Sequence, residues 1–146
     1  MKVLYVVAGA LINEKNEVLL TSRPEGKEFA GFWEFPGGKV EDGEIPETAL
    51  KRELKEELGI TLNESDLIEI GFVSHPYARF HLVMLFFACR KWQGTPIPLE
   101  NQQAAFVSMD GFNVSDSEFS PNHEQKFSLP PADKKLAVQL KEFLSR

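Results

Sequence analysis

Hydrophobic and polar positions follow two patterns along the chain, and each pattern predicts a different kind of element. Apolar runs bounded by turn residues predict strands at 2–12, 17–23, 32–38, 66–75, 81–92 and 104–110. The first two runs are separated by NEKNE alone, which predicts a hairpin. Apolar residues at helical spacing predict two helices, Pro46 to Leu58 and one from Pro131 that buries Leu136, Leu140, Phe143 and Leu144. Strands mixed with two well-separated helices indicate an α/β layered domain.

Composition narrows the class of protein. A chain of 146 residues suits a single domain spanning 1–146. Its net charge of −6 argues against a nucleic-acid polymer as partner, because such proteins usually present a basic face, but it allows a small anionic ligand escorted by metal ions. Cys89 is the only cysteine, which predicts a buried thiol in a reducing cytoplasm. No run reaches the roughly 18 apolar residues of a membrane helix.

The first predicted helix carries an unusual group of acids. Its apolar side is a leucine stripe, Leu50, Leu54 and Leu58, at four-residue spacing. Three further positions, Glu53, Glu56 and Glu57, lie on an adjoining arc of about 100°. The helix lysines point away from this arc, so only Arg52, four residues before Glu56, can reach it. The helix therefore leaves most of its acidic charge uncompensated.

Two interpretations of the acidic arc are open from the helix alone. Charged runs on helices are usually solvated faces, and the three glutamates can be one. They can also bind hard divalent cations, because Mg²⁺ prefers oxygen ligands and keeps several waters. Such ions then carry the phosphates of a substrate.

The residues flanking the helix distinguish these interpretations. Residues 38–60 read GKVEDGEIPETALKRELKEELGI, which resembles the Nudix box of the Nudix hydrolases. Every defined position of the box is filled, by Gly38, Glu44, Arg52, Glu53, Leu54, Glu56, Glu57, Gly59 and Ile60. Segments 23–39, 98–102 and 130–136 resemble the MutT-like branch of that family in the expected order, whereas residues 103–128 depart from it.

The resemblance implies the fold and the reaction class. The fold is the Nudix fold, a mixed β-sheet between α-helices, in which the box forms a loop, a helix and a loop. The reaction is the Mg²⁺- or Mn²⁺-dependent cleavage of a nucleoside diphosphate linked to another group. For MutT-like members the products are a nucleoside monophosphate and pyrophosphate, and oxidised nucleotides such as 8-oxo-dGTP are among the implied substrates.

The resemblance also implies roles for individual residues. The implied metal ligands are the carboxylates of Glu53, Glu56, Glu57 and Glu100 and the backbone carbonyl of Gly38. Glu53 is the first choice for the general base and Glu100 the second, because either carboxylate can take a proton from a metal-bound water. Arg52 supports the carboxylates through bidentate hydrogen bonds. Glu44 either assists Arg52 or is an ordinary acid at a helix N-terminus.

A second set of residues is implied to contact the nucleotide. Arg23 and Lys39 are candidate phosphate contacts, although Lys39 can equally be a surface lysine. Gly37 allows the backbone to approach metal and phosphate closely. Glu34 and Phe35 match positions near the nucleoside, and Phe35 has an alternative as ordinary core. The loop HPYARFH, residues 75–81, is either a polar hairpin turn or part of the base pocket.

Asp133 is the informative departure, because some MutT-like enzymes carry Asn there to read an oxidised guanine. Ionised Asp133 can only accept hydrogen bonds, which suits the amino group of cytosine or adenine. Protonated Asp133, with its pKa raised by burial, can still read the guanine lesion. Asp133 can also simply cap the last helix.

Three functional hypotheses remain open from the sequence. The first is a MutT-like nucleoside triphosphate pyrophosphohydrolase that removes nucleotides such as 8-oxo-dGTP. The second is a Nudix enzyme for another substrate, such as a CTP-type pyrimidine nucleotide, ADP-ribose or a dinucleoside polyphosphate. The third is a non-catalytic binding module, against which the complete box argues. We expect a cytoplasmic monomer or homodimer that acts on a small nucleotide, with no nucleic-acid polymer and no membrane as partner.

Overall fold

A computed structural model gives the fold and describes residues 2–113, 118–119 and 126–146. The strands are β1 Lys2–Leu11, β2 Glu17–Ser22, β3 Trp33–Glu34, β4 Gly37–Lys39, β5 Ile68–Pro76, β6 Phe80–Cys89, β7 Ala104–Ser108, β8 Phe112–Asn113, β9 Glu118–Phe119 and β10 Phe127–Ser128. The helices are α1 Pro46–Leu58 and α2 Pro131–Leu144, with 3₁₀ turns at Glu64–Asp66 and Met109–Gly111. No helix in these described parts is both long and apolar enough to cross a membrane.

The central layer is a mixed sheet with the strand order β4-β1-β6-β5. β1 and β6 run parallel along their whole length, whereas β4 and β5 are antiparallel to their neighbours. Because side chains alternate along β1, Val7 and Leu11 pack against the leucine stripe of α1 while Ala8 and Ala10 share the opposite core with α2. The predicted mixed sheet between helices is therefore confirmed.

The predicted hairpin of β1 and β2 is wrong, although its tight turn is present. Asn13 closes the turn by accepting hydrogen bonds from the backbone N–H groups of Lys15 and Glu17. The strands then meet only at an isolated bridge between Ile12 and Val18. β2 instead forms the centre of a second sheet, β3-β2-β7. Its four middle residues are all buried, which fits a strand covered on both faces.

The single strand predicted at 32–38 is also wrong, because this segment crosses between the two sheets. Trp33 and Glu34 pair with β2, and Gly37 to Lys39 pair with β1. The carbonyl of Pro36 accepts a hydrogen bond from Gly9 N–H at 2.9 Å at the crossing. The glycines expected to stop the strand therefore form one, since they allow β4 to lie very close to β1.

The helix predictions are confirmed at both ends of α1. Pro46 occupies its first turn, and Gly59 follows it in the left-handed conformation (φ +70°), donating its N–H to the carbonyl of Lys55. In α2, Leu136 and Leu140 are fully buried, while Phe143 and Leu144 are only partly buried. The long polar segment 111–128 contains β8, β9 and β10, and its residues 114–117 and 120–125 lie outside the described residues.

Replacement of Gly37 by alanine tests the close approach of β4 to β1. The added methyl group would overlap the carbonyl oxygen of Val7 and lie 2.8 Å from the Cα of Ala8. We expect Gly37→Ala to lower the free energy of unfolding by about 3 kcal/mol in urea titrations. Gly43→Ala is the control, because no atom lies within 4 Å there and only its positive φ of +79° opposes alanine, at about 1 kcal/mol. Equal losses would contradict the packing argument.

Candidate active site

One cleft of about 460 Å³ brings together most of the predicted site residues. It opens between the loop 24–31, the β3–β4 crossing, α1 and the start of α2. The predicted residues that line it are Arg23, Glu34, Phe35, Gly37, Gly38, Lys39, Glu53, Glu57, Glu100 and Asp133. Three predicted residues, Glu44, Arg52 and Glu56, are not among the lining residues and form a polar cluster with Glu53.

Arg52 is the centre of this polar cluster. Its guanidinium grips Glu44 with two hydrogen bonds, Nε to Oε2 at 2.9 Å and Nη2 to Oε1 at 3.0 Å. The Nη1 atom donates to Glu53 at 2.9 Å and to the exposed Glu56 at 3.4 Å. The Nη2 atom also donates to the carbonyl of Lys39 at 3.1 Å. Arg52 therefore joins the acidic arc to β4 and to the loop before α1.

Glu44 is tied to Arg52 rather than to the helix N-terminus. The N-cap position of α1 is Ile45, which makes no side-chain capping bond. The hydrogen bond from Arg52 holds the pKa of Glu44 below its usual value, helped by a backbone N–H of Glu41. Of the two interpretations of Glu44, this geometry favours support of Arg52.

Glu57 is the least compensated carboxylate of the helix. Its Oε2 atom is buried and has no hydrogen-bond partner among the described residues. Burial raises the pKa of Glu57 to about 8, and the negative charges of Glu53, Glu34 and Glu100 add to the shift. Burial also raises the pKa of Glu53, against the opposing effect of Arg52. The site therefore brings several carboxylates together at partly buried positions, which favours the retention of protons.

Glu100 reaches the same place from a different part of the chain. The segment before it is pinned to the end of α1, because Ile97 N–H donates to the carbonyl of Leu58 and Leu99 N–H to that of Glu57. Glu100 is exposed and lines the cleft. Glu53, Glu57 and Glu100 together define what we call the acidic end of the cleft.

The acidic end fits a divalent cation by its chemistry. Carboxylate oxygens are the ligands that Mg²⁺ and Mn²⁺ take, and the orphaned Oε2 of Glu57 lacks a positive partner. A side chain at Gly38 would collide with the Glu53 carboxylate, so glycine keeps the backbone against the acids. Among the described residues, no three acidic, histidine or cysteine side chains already converge as a ligand set. Glu53 and Glu56 instead bond Arg52.

A second group of lining residues, Arg23, Glu34, Phe35 and Asp133, forms what we call the nucleoside end, after the role that the resemblance implies for it. Arg23 donates to both carboxylate oxygens of Glu34, at 3.0 and 3.3 Å, and to the carbonyl of Glu28 at 3.1 Å. Burial raises the pKa of Glu34 in spite of this ion pair. Lys39 is exposed at the end of β4 and lines the cleft.

Phe35 acts through its backbone as well as through its ring. The ring is only 1% exposed and packs on Phe86 with the centroids 4.9 Å apart, so it belongs to the core. The N–H of Phe35 donates to Oδ2 of Asp133 at 3.1 Å. This single bond connects the β3–β4 crossing to the start of α2, residues 98 positions apart.

Asp133 is not the N-cap of α2. Pro130 takes the N-cap position and makes no side-chain capping bond, while Asp133 lies inside the first turn. Asp133 is 4% exposed, and burial raises its pKa to about 8, with a further rise from the charge of Glu34. A buried carboxyl with one oxygen committed to Phe35 N–H and a retained proton can both donate and accept.

Sequence reasoning missed Phe29 and Lys27, which line the nucleoside end, and included Tyr77 and Phe80 only as part of the loop 75–81. Phe29 and Phe80 give apolar walls, Tyr77 gives an aromatic ring with a hydroxyl, and Lys27 adds a positive charge. The motif HPYARFH carried the only usable signal, because its aromatic residues were out of place in a purely polar turn. Tyr77 decides between the two interpretations of that loop, since it lines the cleft.

Comparison with known proteins gives one consistent result. The family model for the NUDIX domain matches residues 3–128. The 8-oxo-dGTP diphosphatase of Escherichia coli strain K12 is 35% identical over 141 residues, 97% of this chain and 98% of that protein. The CTP pyrophosphohydrolase of the same strain is 53% identical over 60 residues, 41% and 44% of the two chains. A solved MutT structure, from work on Aliivibrio salmonicida and Vibrio cholerae, has 31% identity and a TM-score of 0.73, and the match covers 97% and 99%.

The raised pKa of Glu57 predicts how stability depends on pH. Glu57 loses its proton near its ordinary pKa of 4.5 in the unfolded chain but only near 8 in the folded protein. The folded state therefore binds the additional proton in this window, and the free energy of unfolding falls as the pH rises from about 4.5 to 8. In metal-free protein, we expect the fall in the free energy of unfolding between pH 5 and 8 to be about 1–3 kcal/mol smaller in Glu57→Gln than in the parent.

Urea unfolding at both pH values measures this difference. Glu14→Gln, an exposed change in the β1–β2 turn, is the control and should follow the parent. If Glu57→Gln loses as much stability as the parent, the half-buried Glu57 is not the group that takes the proton.

Proposed function

The chain belongs to the Nudix family, and on that premise we propose that it hydrolyses nucleoside triphosphates to a nucleoside monophosphate and pyrophosphate. Nudix hydrolases generally need a divalent metal, and we propose Mg²⁺, with Mn²⁺ as a substitute. The leading substrate of the proposal is 8-oxo-dGTP, supported by the 8-oxo-dGTP diphosphatase of E. coli, of which 98% is matched by this chain.

The observation that carries the proposal is the division of one cleft into two chemically different ends. Glu53, Glu57 and Glu100 supply oxygen ligands at the acidic end. Asp133 supplies hydrogen bonding and the aromatic lining residues supply apolar surface at the nucleoside end. A nucleoside triphosphate has the matching division, because its phosphates bind metal ions and its base stacks and forms hydrogen bonds.

In this proposal Glu53, Glu56, Glu57, Glu100 and the carbonyl of Gly38 hold the metal. When bound, a divalent ion lowers the pKa of a water and neutralises charge on the phosphates. Arg52 holds Oε1 of Glu53, which leaves Oε2 to take a proton from the attacking water. Glu100 is the second candidate for that step.

The positive side chains of the cleft are proposed to bind the phosphates. Arg23 and Lys27 stand at the nucleoside end and Lys39 lies on β4 beside Gly38. Arg23 is already bonded to Glu34, so it is oriented before any nucleotide enters. Lys39 is exposed, which suits a contact to the outer phosphates.

Asp133 is proposed to read the base as a neutral acid. Oδ2 accepts from Phe35 N–H, and in this proposal the other oxygen, Oδ1, faces the base. A protonated Oδ1 can donate to O6 of an oxidised guanine while the carboxyl group still accepts from its N7–H. Glu34, whose charge adjoins Asp133, supports the proton on Asp133.

A second candidate substrate is a CTP-type pyrimidine nucleotide. Two acids, Glu34 and Asp133, face the nucleoside end, and in ionised form they accept hydrogen bonds from an amino group. The similarity to the CTP pyrophosphohydrolase of E. coli over 60 residues supports this candidate. The two candidates differ in the protonation state that they require of Asp133.

The remaining parts of the proposal concern the molecule as a whole. We treat residues 1–146 as one domain that works in the cytoplasm as a monomer or homodimer. Its ligand is the small nucleotide and its metal, not a nucleic-acid polymer, in keeping with a net charge of −6.

Steady-state kinetics on a panel of normal and oxidised nucleotides tests the function. With Mg²⁺ we expect release of monophosphate and pyrophosphate, with the highest kcat/KM for 8-oxo-dGTP, and reversible loss of turnover with chelator. Glu53→Gln should lower kcat by about 100-fold or more while the circular dichroism stays native. Glu14→Gln is the matched control, since Glu14 lies on the exposed β1–β2 turn. Near-parental activity of Glu53→Gln would rule out the proposal that Glu53 and its neighbours on α1 hold the catalytic metal.

The pH dependence of substrate choice tests how Asp133 reads the base. Below its pKa of about 8 the acid donates a hydrogen bond, and above it the carboxylate only accepts. We expect the ratio of kcat/KM for 8-oxo-dGTP over CTP to fall as the pH rises from 6.5 to 9 in the parent. In Asp133→Asn the part of this fall that comes from residue 133 should be absent, because an amide does not titrate. Titration of the substrates themselves affects both proteins equally. Parallel profiles would show that Asp133 does not read the base.

A further inference from the structure

The start of α2 is capped from another part of the chain. Pro130 at the N-cap makes no side-chain bond, and Pro131 has no N–H to donate. The first free helical N–H, that of Ala132, donates to the phenolic oxygen of Tyr77 at 3.3 Å, across 55 positions of sequence. Tyr77 therefore provides the acceptor that a Ser, Asp or Asn would ordinarily supply.

The ring of Tyr77 is held in place on several sides. Its centroid lies 4.7 Å from that of His75, 5.4 Å from Phe80 and 5.9 Å from Phe29. Phe29 belongs to the loop 24–31 and has a positive φ of +61°, a conformation that non-glycine residues adopt only when their surroundings enforce it. Tyr77 thus contacts both walls of the nucleoside end, the loop and α2.

The residue after the capped N–H is Asp133. Two bonds from outside the helix fix this turn: Phe35 N–H to Oδ2 of Asp133, and Ala132 N–H to the oxygen of Tyr77. The first bond comes from the β3–β4 crossing and the second from the residue after β5, so removal of the Tyr77 oxygen leaves only the Phe35 bond of the two. The position of Oδ1, which the proposed function assigns to the base, depends on both.

We propose that Tyr77 is a positioning residue that sets the choice of base by holding the first turn of α2, and with it Asp133, at the cleft wall. The inference rests on the proposed function, because base choice has meaning only for a nucleotide hydrolase. It adds a residue of the hairpin between β5 and β6 to the determinants of specificity. Tyr77 acts through Asp133 and not on the reacting phosphates.

Tyr77→Phe tests the proposal because it removes the oxygen and keeps the ring. A merely structural role would lower the folded fraction and reduce kcat/KM for every substrate by the same factor. The proposal instead expects the ratio of kcat/KM for 8-oxo-dGTP over CTP to change by about fivefold, the effect of one lost cap. Tyr5→Phe is the matched control, since Tyr5 is 55% exposed and does not line the cleft.

An Asp133→Ala background shows whether Tyr77 acts through Asp133. Without the Asp133 side chain, Tyr77→Phe should leave the ratio of kcat/KM values unchanged. The effects of the two substitutions on that ratio are then not additive. The proposal is overturned if Tyr77→Phe keeps the parental ratio, or if it shifts the ratio equally with and without the Asp133 side chain. The second result would mean that Tyr77 selects the base directly.

Amide hydrogen exchange measures the capping bond without any nucleotide. Exchange at Ala132 should be about fivefold faster in Tyr77→Phe and unchanged in Tyr5→Phe. Unchanged exchange in Tyr77→Phe would overturn the positioning role. A parent protein that hydrolyses no nucleotide would overturn the proposed function, while the exchange result still decides whether Tyr77 holds the helix.

Discussion

The structure depends on one guanidinium, that of Arg52, which forms hydrogen bonds with acids in α1 and in the loop before it. Arg52 bonds Glu44, Glu53 and Glu56 and the carbonyl of Lys39, so it fixes the helix, the loop before it and β4 in one arrangement. Its single charge cannot compensate three carboxylates and also the half-buried Glu57. Burial raises the pKa of Glu57 to about 8, the negative charges of Glu53, Glu34 and Glu100 add to the shift, and one of its oxygens has no partner among the described residues. A cluster that is costly for the folded protein is for that reason a ready acceptor of divalent cations.

The packing of the sheet explains why the acids cannot move apart to relieve this repulsion. The leucine stripe of α1 is fully buried against β1, which fixes the rotation of the helix. Gly37 and Gly38 bring β4 so close to β1 and to Glu53 that a methyl group at either position would collide. Geometry therefore holds the charges together, and the protein relieves the strain through protons or metal ions and not through rearrangement.

Sequence reasoning succeeded where local rules decide the structure. Both ends of α1 could be predicted, because Pro46 and Gly59 act within one turn, and so could the buried stripe. The hairpin and the strand at 32–38 failed for one reason: pairing partners were chosen by burial across the whole fold and not by the nearest turn. The hydrogen bond from Phe35 to Asp133 spans 98 positions and the bond from Ala132 to Tyr77 spans 55, and no pattern in one sequence reports such pairs. Five of the six acids that line the cleft, all but Glu28, could be named in advance. Protonation of Asp133 could be offered only as an alternative, since the sequence does not show how deeply Asp133 is buried.

The cleft has more acidic than basic side chains, and the excess negative charge is compensated differently at its two ends. Among the described lining residues there are six acids and only three basic side chains. At the acidic end, Glu53, Glu57 and the exposed Glu100 face a region that water and ions can enter, so a metal can replace the protons. At the nucleoside end, Asp133 is 4% exposed and already bonded to Phe35, and this burial favours a retained proton over a bare negative charge. In the proposed function, the same excess of carboxylates supplies charged ligands for a metal ion at one end and a neutral hydrogen-bonding acid for a base at the other.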